Sequence, residues 1–471
     1  MSKQNWLVVD LDDTLIRTDL FVEGLLRAVL TRPVALVSWM LACRFSIPRL
    51  KAVIARRMPV NLNNLPFNAD LITRIRDAKA TGRPVMLATA AAREIAEQVA
   101  EHLGLFDCVL ATSGDTNMKA QAKADAIVEH IGSDTFEYVC DSTADLPVLR
   151  KATQGLLVNP SRKLLKACEI EKLSVEVIDD SKKSIWEYDS KILRPYQWMK
   201  NIVFFLPAIT SFGLYDLNNL WLVAPTFSIM SLIASVVYIF NDIADLESDR
   251  SHPEKRNRCF AAGEVSVRFG FITALALLFL ALVVLVAWRP STWPHFTAYF
   301  VLTVAYTMVL KEFAILDIFI LVTFYVLRIL IGIETLGVNY SMWFISFCYL
   351  LFGNLAFLKR YIEVNNPDSG SNVRRKYDSH DREFLRTSGI AAIFASIVLL
   401  LIYSKSQDFS EYYTNKDLFT VICLPYAILM MRMWYLASRN EVDSDPLVFL
   451  IRSPLSYVAV FISGLILYFA R

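Results

Sequence analysis

Residues 241–258 read NDIADLESDRSHPEKRNR and follow directly on the apolar run 220–240. Asp242, Asp245 and Asp249 are spaced i, i+3, i+7, so a helix that continues past the apolar run places all three on one face. Neighbouring carboxylates repel one another unless a divalent cation lies between them, and Mg²⁺ prefers carboxylates together with substrate phosphates. The stretch therefore predicts a Mg²⁺-bound diphosphate at the end of a membrane helix. An ordinary solvated loop would explain the basic residues but not the aspartates.

The distribution of charge along the chain separates two domains of different kinds. The chain has 471 residues, 55% of them hydrophobic, and a formal net charge of +2. Charged residues are dense before about Arg194, whereas uncharged stretches of membrane-spanning length recur after it. This pattern is typical of a soluble domain followed by an integral membrane domain, which is surrounded by lipid. A net charge this small does not indicate a nucleic-acid partner, and none is expected. The sequence gives no indication of an oligomeric state.

The N-terminus and the cysteines both indicate a cytoplasmic first domain. The opening MSKQNWLVVDLDDTL has an apolar run of strand length, with aspartates where a signal-peptide cleavage region would lie. The seven cysteines are odd in number and form no CxxC pair. They are typical of buried thiols in a reducing compartment and do not suggest a disulfide framework or a zinc site.

Residues 1–160 have the pattern of an α/β domain. Short apolar runs such as VVDLDD and YVCDS end in acidic residues and alternate with helical patterns such as AREIAEQVAEHLG. The alternation predicts a doubly wound parallel sheet whose strands deliver polar side chains to one edge. Residues 20–65 interrupt it with a helical insert, interpreted as a cap over that edge that could lie on the membrane. Residues 161–192 are interpreted as a linker.

Residues 193–471 are predicted to form an all-α membrane bundle of about nine transmembrane helices. The candidate spans are 201–215, 219–240, 269–288, 294–310, 313–334, 341–358, 388–404, 418–436 and 449–470. Basic residues are concentrated in one set of loops, and the opposite set carries little beyond Arg289, Lys405 and Lys416. The positive-inside rule predicts that the basic loops, the N-terminal domain and both candidate sites are cytoplasmic. We therefore expect a multi-pass protein of the cell inner membrane.

Six polar residues of the first domain indicate phosphoryl chemistry. They are Asp10, Asp12, Thr89, Lys123, Asp141 and Asp145. The first two follow a strand, where one carboxylate can attack phosphorus and the other can protonate the leaving oxygen. The threonine hydroxyl could hold a phosphate oxygen, and the lysine could neutralise phosphate charge. The last two aspartates could hold Mg²⁺ at the next strand end.

This set resembles the four motifs of the haloacid dehalogenase superfamily of phosphotransferases. The motifs DxDxT, a lone Thr, a Lys and GDxxxD occur in that order between residues 5 and 160. The resemblance implies a phosphatase-like domain in which Asp10 is the nucleophile and Asp12 the acid/base. It also implies Mg²⁺ held by Asp10, the backbone carbonyl of Asp12 and Asp141. Cys140 stands where the family usually has glycine.

Further polar residues lie within the predicted spans or at their ends. They are Lys200, Asn201, Asn241, Arg250, His252, Lys255, Arg258, Tyr306, Lys311, Asp317, Arg328, Lys359, Glu363, Arg375 and Tyr377. Charges at membrane depth are costly and usually face a site or a partner, so these residues are candidates for binding a phosphorylated substrate. Asp317 could instead pair with a lysine, and Lys200 could snorkel to the interface. The segment around Arg375 and Tyr377 is equally compatible with a solvated loop.

The membrane half resembles the UbiA superfamily of intramembrane prenyltransferases. NDxxDxxxD is similar to its first aspartate-rich motif, and nine spans is its expected count. LRPYQWMKN, YTMVLK and LKRYIEV are similar to the branch that transfers phosphoribose to polyprenyl phosphates. Two departures are Cys259-Phe260 after Arg258 and the absence of the second DxxxD of the aromatic prenyltransferases, since Asp378 and Asp381 give only DxxD.

Three hypotheses on function follow from these patterns and resemblances. The first is Mg²⁺-dependent transfer of phosphoribose from phosphoribosyl diphosphate to polyprenyl phosphate, after which the first domain removes the 5-phosphate of the product. The second uses the same aspartates to ionise a polyprenyl diphosphate, whose cation an aromatic acceptor such as 4-hydroxybenzoate captures. The third is a membrane scaffold or transporter with a degenerate phosphatase domain.

Overall fold

The computed structural model describes residues 5–114, 116–132, 135–179, 191–210, 217–288, 290–338, 340–365, 377–407, 409–442 and 445–471. The chain divides into two compact units. The first consists of Met1–Ile192 and Ile239–Ala274, and the second of Leu193–Tyr238 and Leu275–Arg471. The aspartate-rich stretch 241–258 therefore belongs to the same compact unit as the α/β domain.

The first unit contains one sheet of six parallel strands. They are β1 Asn5–Val9, β2 Val85–Ala92, β3 Cys108–Thr112, β4 Thr135–Cys140, β5 Gln154–Val158 and β6 Val175–Asp179. Their order is β3-β2-β1-β4-β5-β6, which confirms the predicted doubly wound sheet. Val9 of β1 is in register with Leu87 of β2 and Val139 of β4. The carboxyl ends of these three strands therefore meet where the winding direction reverses, which is where open α/β sheets bind ligands.

Successive residues of the strands are buried on opposite faces of the sheet. Val9 and Leu87 belong to one fully buried cluster, and their neighbours Val8 and Met86 belong to another. Burial on both faces explains why the strands read as continuous apolar runs in the sequence.

The helices of the first unit include a three-helix insert between β1 and β2. The insert consists of α1 Leu20–Thr31, α2 Pro33–Ala42 and α3 Ile47–Arg57. The other helices are α4 Ala69–Ala80, α5 Arg93–Leu103, α6 Gln121–Ile131, α7 Leu146–Leu149 and α8 Arg162–Ile170. Asp19 begins α1 as its N-cap by accepting a hydrogen bond from Val22 N at 2.9 Å, and Pro33 begins α2 at a position that needs no backbone donor.

The regular elements in the described residues of the membrane half are all helices. A 3₁₀ helix, Pro195–Phe205, leads into α9 Leu206–Thr210, α10 Leu217–Ala244, α11 Leu246–Ser251, α12 Val267–Trp288, α13 Trp293–Met308, α14 Leu316–Leu336, α15 Met342–Asn365, α16 Arg382–Tyr403, α17 Phe409–Tyr412, α18 Lys416–Thr420, α19 Cys423–Ser438, α20 Pro446–Arg452 and α21 Pro454–Ala470. Among the described residues, six helices are long and apolar enough to cross a membrane, or seven if α20 and α21, bent by 78°, form one span. The predicted span 294–310 is not among them, because α13 has only 16 residues. The predicted span 201–215 lies partly outside the described residues. The chain is a multi-pass membrane protein.

Helix α14 lies at the centre of the second unit. Of the 18-residue apolar stretch of α14, 61% is buried inside the protein. For the corresponding stretch of the span that contains α19, the share is 22%. Ile318, Val322 and Ile329 of α14 are almost fully buried in the main core of this unit. Leu424 and Ile428 of α19 are about 60% exposed, as expected for side chains that face lipid tails.

Candidate functional site

A buried cluster of charges lies at the carboxyl ends of β1 and β4. Lys123 Nζ is 3.0 Å from Asp10 Oδ2 and 2.8 Å from Asp145 Oδ1. The Tyr138 hydroxyl donates to the same Asp145 oxygen at 3.0 Å. Each of these four side chains is at least nine-tenths buried. The lysine therefore lies between two buried carboxylates and supplies the opposite charge that buried charges require.

The protonation of this cluster follows from its burial. Burial raises the pKa of Asp10 to about 7. Lys123 lowers this pKa, but the negative charge of Asp145 raises it again. Burial alone would lower the pKa of Lys123, but Asp10 and Asp145 raise it above its usual value. Lys123 is therefore always a cation, and a cation added next to Asp10 would favour its ionised, nucleophilic form.

Three carboxylates at this edge can hold a metal ion. Among the residues that the structure describes, Asp10, Asp141 and Asp145 each offer an oxygen within 4.8 Å of the others. Thr14 Oγ1 donates to Asp141 Oδ1 at 3.4 Å. Oxygen ligands supplied by carboxylates are the donor set that Mg²⁺ takes, so the residues present fit such an ion. The sequence predicted this convergence.

Asp12 and Thr89, the other two predicted catalytic residues, are oriented by backbone groups. Asp12 Oδ1 accepts from Leu20 N, the first residue of α1, at 3.0 Å. Burial, together with the nearby Asp19, raises the pKa of Asp12 well above its usual value, which suits a proton donor. Thr89 is fully buried, and its Oγ1 accepts from Ala91 N at 3.0 Å.

Lys51 of the cap is a site residue that the sequence pattern did not reveal. Its Nζ donates to Ala90 O at 2.5 Å and lies 3.4 Å from Asn117 Oδ1. Burial lowers the pKa of Lys51, although Asp12 raises it. One basic residue among several in a cap carries no periodic signal, so only the fold shows that this one reaches the sheet edge.

The aspartate-rich stretch folds much as its spacing predicts. Helix α10 ends at Ala244, and α11 begins at Leu246. Asp245 N still donates to Asn241 O at 2.8 Å, and Asp249 N donates to Asp245 O at 2.9 Å. The helical path therefore continues through the one-residue interruption at Asp245.

Arg258 lies between two of the three aspartates. Its Nη1 is 2.6 Å from Asp249 Oδ2 and 3.3 Å from Asp242 Oδ1. Both carboxylates are buried, and burial raises the pKa of Asp249, against the lowering effect of Arg258. The three aspartates are not brought together as a second group of metal ligands within the described chain. A guanidinium thus lies where the sequence predicted Mg²⁺, and it shows that this position favours positive charge.

The basic residues of the stretch are engaged within the protein. Arg250 is paired with Glu23 of α1 and also donates to Ala261 O. His252 Nδ1 accepts from the backbone of Glu254 and Lys255, at 3.2 and 3.4 Å. A phosphate could reach Arg250 only if its ion pair opened. The structure therefore favours a positioning function for this arginine over the predicted contact with substrate.

In the second unit, Lys200, Lys359 and Arg328 form a partly buried polar group with their partners. Lys200 Nζ is 2.5 Å from Asp445 Oδ2, and Lys359 Nζ is 4.0 Å from the same oxygen. Arg328 Nε donates to Asn201 Oδ1 at 3.0 Å, and its Nη2 donates to the Tyr299 hydroxyl at 2.8 Å. Two lysines thus share one carboxylate, which leaves an excess of positive charge. Asp445 escaped prediction because it is one acidic residue in a connecting segment.

A second buried network surrounds Arg360. Its Nε is 2.6 Å from Asp317 Oδ2, and its Nη1 is 2.6 Å from Glu363 Oε2. Arg360 Nη2 donates to the Tyr306 hydroxyl at 3.1 Å, and the Tyr377 hydroxyl donates to Asp317 Oδ1 at 2.7 Å. The expected charge pairing of Asp317 is therefore real, but the partner is an arginine rather than a lysine.

The remaining predicted residues divide between described and undescribed parts of the chain. Lys311 is buried in the 3₁₀ turn Leu310–Glu312 that follows α13. Asn241 contributes its carbonyl to the helical path described above. Lys255 begins the 3₁₀ turn Lys255–Asn257. The prediction for Arg375 lies outside the described residues.

The second unit also contains a cavity of about 550 Å³. Its lining is almost entirely apolar and includes Ile202, Phe347, Phe352, Leu400 and Leu467. Cavities of this size and polarity accommodate hydrocarbon chains, because apolar walls offer no hydrogen bonds to a polar ligand.

Comparison with known proteins agrees with the two-domain fold. The model of the UbiA prenyltransferase family matches residues 202–450, and the model of the haloacid dehalogenase-like hydrolases matches residues 7–150. A parallel α/β domain with converging carboxylates, joined to a bundle with buried ion pairs, defines a membrane-bound enzyme. The chain belongs to the UbiA prenyltransferase family and carries a haloacid dehalogenase-like domain, so it combines a transferase with a phosphatase-like domain.

Relatives of the chain match one or both domains. The protein y4nM of Sinorhizobium fredii is 32% identical over 98% of this chain and 89% of its own length. The decaprenyl-phosphate phosphoribosyltransferase of Mycobacterium tuberculosis is 28% identical over 51% of this chain and 80% of its own. The structure of a UbiA homologue from Archaeoglobus fulgidus, bound to DMAPP and Mg²⁺, aligns with 60% of this chain and 96% of its own, at 16% identity and a TM-score of 0.44.

Proposed function

We propose that the membrane domain transfers phosphoribose from phosphoribosyl diphosphate to a polyprenyl phosphate, and that the phosphatase-like domain then removes the 5-phosphate of the product. The observation that carries the transfer is the similarity to a decaprenyl-phosphate phosphoribosyltransferase over 80% of that protein's length. The partly buried excess of positive charge at Lys200 and Lys359 and the apolar cavity support a phosphorylated lipid as one substrate.

Metal binding is assigned to the aspartate-rich stretch and to the sheet edge. Asp242, Asp245 and Asp249 would hold Mg²⁺ with the diphosphate, once Arg258 turns from the aspartates to the phosphate oxygens. Bound there, Mg²⁺ would neutralise the charge of the departing diphosphate. Arg258 already bridges two of these carboxylates, so it can exchange one set of anionic oxygens for another without leaving the site.

Substrate binding in the second unit is assigned to the two buried polar groups. Lys200 and Lys359 would bind a phosphate in place of Asp445, and Arg328 would orient Asn201 next to them. The network of Asp317, Glu363, Tyr306 and Tyr377 around Arg360, with Lys311 nearby in sequence, would bind the polar parts of the sugar. The apolar cavity would receive part of the polyprenyl chain.

The phosphatase reaction is assigned to the cluster at the sheet edge. Asp10 would attack the 5-phosphate, and Asp12 would donate a proton to the leaving ribose oxygen. Water, giving its proton back to Asp12, would then hydrolyse the phosphate from Asp10 and release it as inorganic phosphate. Lys123 and the Thr89 hydroxyl would bind phosphate oxygens, and Asp10, the Asp12 carbonyl, Asp141 and Asp145 would hold Mg²⁺. In this arrangement Lys123 keeps Asp10 next to the phosphorus, because their 3.0 Å contact fixes the attacking carboxylate.

The organisation of the protein in its membrane is part of the same proposal. The predicted boundaries are 1–160 for the hydrolase domain, 161–192 for the linker and 193–471 for a bundle of nine helices. Two spans beyond the seven found in the described chain would come from 201–215 and 294–310. Both active sites would be on the cytoplasmic side of the inner membrane, which the basic loops support.

Transfer of label from phosphoribosyl diphosphate to lipid tests the proposed reaction. Purified protein in liposomes is incubated with ribose-labelled donor, Mg²⁺ and a polyprenyl phosphate, and the organic phase is counted. We expect labelled lipid from the wild-type chain and from Asp10→Asn, and background from Asp242→Asn. The aromatic prenyltransferase would be favoured instead if the label stayed in the aqueous phase and if, in a parallel assay, the protein prenylated 4-hydroxybenzoate from a polyprenyl diphosphate.

A further inference from the structure

A buried ion pair joins the cap of the phosphatase-like domain to the aspartate-rich segment. Arg250 Nη1 is 2.9 Å from Glu23 Oε1, and its Nη2 is 2.8 Å from Glu23 Oε2. The side chains are 1% and 0% exposed. Two parallel bonds from one guanidinium to one carboxylate fix orientation as well as distance. Arg250 directly follows Asp249, so this pair determines where the third aspartate of the motif lies.

Two more contacts hold the same segments together. Asn61 N, at the end of the cap, donates to Glu247 Oε2 at 3.0 Å. Gly263 has φ +67°, and a side chain there would come within 2.9 Å of the Arg17 carbonyl. Only glycine combines this backbone conformation with this approach. The segment is therefore packed against the α/β domain at three separate points.

The start of α1, one turn before Glu23, lies at the phosphatase site. Asp12 Oδ1 accepts from Leu20 N, at the start of the helix, and Thr18 Oγ1 lies 3.3 Å from Glu23 Oε2. One turn of helix thus separates the backbone group that Asp12 binds from the carboxylate that binds Arg250. A rigid element connects the acid/base of one proposed site to the ligand segment of the other.

We propose that α1 positions the aspartate-rich segment for metal binding, with Glu23 as a positioning residue that acts through Arg250. This inference rests on the proposed metal-dependent transfer. It predicts that the phosphatase-like domain holds the aspartate-rich segment of its own unit in place, in addition to any catalytic activity of its own.

Metal titration of the full chain in nanodiscs tests this positioning. Mn²⁺ binding is followed by electron paramagnetic resonance in an Asp10→Asn background, which removes a ligand of the phosphatase site. Glu23→Gln is expected to raise the Mn²⁺ concentration for half-occupancy about tenfold, as for residues that orient metal ligands. The control Glu94→Gln disrupts a short ion pair with Arg56 in which both side chains are at least one-third exposed, and it is expected to change nothing.

Exchange of the two charges separates positioning from loss of folding. Glu23→Arg with Arg250→Glu restores a pair, so Mn²⁺ affinity is expected to recover. If Glu23→Gln fails to fold, Thr18→Val, which removes only a hydrogen bond to Glu23, is expected to shift the affinity in the same direction by a smaller amount. Affinity equal to that of the control, or no recovery on exchange, would overturn the proposal. Because Mn²⁺ is titrated without substrate, failure of the proposed transfer reaction would not affect this result.

A second inference comes from the surface of the cap, independently of the ion pair. Five large apolar side chains on and after α2 are exposed: Val34 84%, Val37 58%, Leu41 59%, Phe45 64% and Ile47 55%. Arg32, Arg44 and Arg49 surround them and are exposed. Between Glu23 and Asp70 the chain has seven basic residues and no acidic one.

We propose that this surface, α2 with the turn after it, lies in the headgroup layer of an anionic membrane. Exposed apolar side chains bordered by arginines are the pattern of segments that lie in the interface, where apolar groups enter the acyl boundary and cations meet lipid phosphates. The charge of the surface favours anionic lipid over a second copy of the same cationic cap, which would be repelled. The membrane in question is the one that the helices of this chain span.

Fluorescence of a labelled cap in nanodiscs tests this placement. An environment-sensitive dye is attached at Val37→Cys or, as control, at Ile170→Cys on α8, which is 71% exposed. Cys108 and Cys423, which are only partly buried, are first replaced by serine. The dye at position 37 is expected to emit at shorter wavelength and to be quenched by doxyl-labelled lipid, more strongly with phosphatidylglycerol than with phosphatidylcholine alone.

The possible outcomes of that measurement are distinct. Emission at position 37 equal to that at position 170 would overturn the proposal. A shifted but unquenched dye would indicate cover by protein and would overturn it as well. Equal quenching in both lipids would contradict the proposed preference of the cap for an anionic membrane.

Discussion

Replacement of Lys123 by methionine removes the only cation bound directly between Asp10 and Asp145 in the described structure. The lysine is 2% exposed and lies within 3.0 Å of both carboxylates. Removal of one partner from a buried ion pair costs about 3–5 kcal/mol, because the remaining charges are left uncompensated. For a unit of this size, the loss corresponds to a decrease in melting temperature on the order of 10 °C.

Two measurements identify this loss as electrostatic. Thermal unfolding of the purified chain is expected to show that Mg²⁺ stabilises Lys123→Met more than the wild type, because Asp10, Asp141 and Asp145 lie close enough to share an ion. The double variant with Asp145→Asn is expected to recover part of the stability, since one buried charge is then removed together with its partner.

A matched control comes from an exposed lysine of the same domain. Lys151 is 2.6 Å from Asp125, but both side chains are at least one-third exposed, so Lys151→Met is expected to leave the melting temperature almost unchanged. Equal melting temperatures for Lys123→Met and this control, or the same response to Mg²⁺ in wild type and Lys123→Met, would refute the electrostatic reasoning.

Three further predictions concern other parts of the molecule. Asp249→Asn is expected to lower the rate of phosphoribosyl transfer at least 100-fold. The control Glu254→Gln, at an exposed position of the same stretch, is expected to retain the wild-type rate, and equal rates in the two variants would contradict metal binding at the motif. Because the pKa of Asp10 is raised in the folded state, the folded metal-free protein binds more protons than the unfolded one between pH 3.8 and about 7, and it is expected to lose stability as the pH rises through this range. Calorimetry should show that the free energy of unfolding depends less steeply on pH in Asp10→Asn, and an unchanged slope would refute this. Asp317→Asn leaves Arg360 with one carboxylate instead of two and is expected to destabilise the protein by about 1–3 kcal/mol, measured by thermal unfolding; no change would show that Glu363 suffices.

The edge of the sheet could be predicted from sequence because local rules determine it. Parallel strands end at one edge, so acidic residues after β1 and β4 had to meet. Asp10 and Asp141 do lie close together in the structure, and their assignment to one metal site stays a prediction. The order of the strands brings Lys123 there as well, but its bridging of Asp10 and Asp145 depends on side-chain directions that no spacing specifies.

The contacts that sequence reasoning missed join residues far apart in the chain. Glu23 and Arg250 are 227 positions apart, and nothing in the local pattern of either segment points to the other. Asp445 likewise approaches Lys200 across the second unit. Positive-inside counting treated Arg250 as a free loop cation, because charge statistics do not distinguish a paired residue from a solvated one.

The described residues contain fewer spans than the nine that composition predicts, for a related reason. Apolar composition identifies α13 as a membrane segment, but its 16 residues are fewer than the roughly 20 that a straight span needs. Similarly, the apolar composition of the C-terminal segment predicts one helix, but Pro454 and the sharp bend between α20 and α21 divide it into two.

The most direct test follows both proposed steps in a single incubation. Phosphoribosyl diphosphate labelled with ¹⁴C in the ribose and ³²P in the 5-phosphate is supplied with polyprenyl phosphate and Mg²⁺ to the full chain in liposomes. The account predicts ¹⁴C in the lipid with ³²P released as inorganic phosphate, and with Asp10→Asn both labels retained in the lipid. Absence of ¹⁴C from the lipid would contradict the transfer, and equal loss of ³²P in both proteins would contradict the second step.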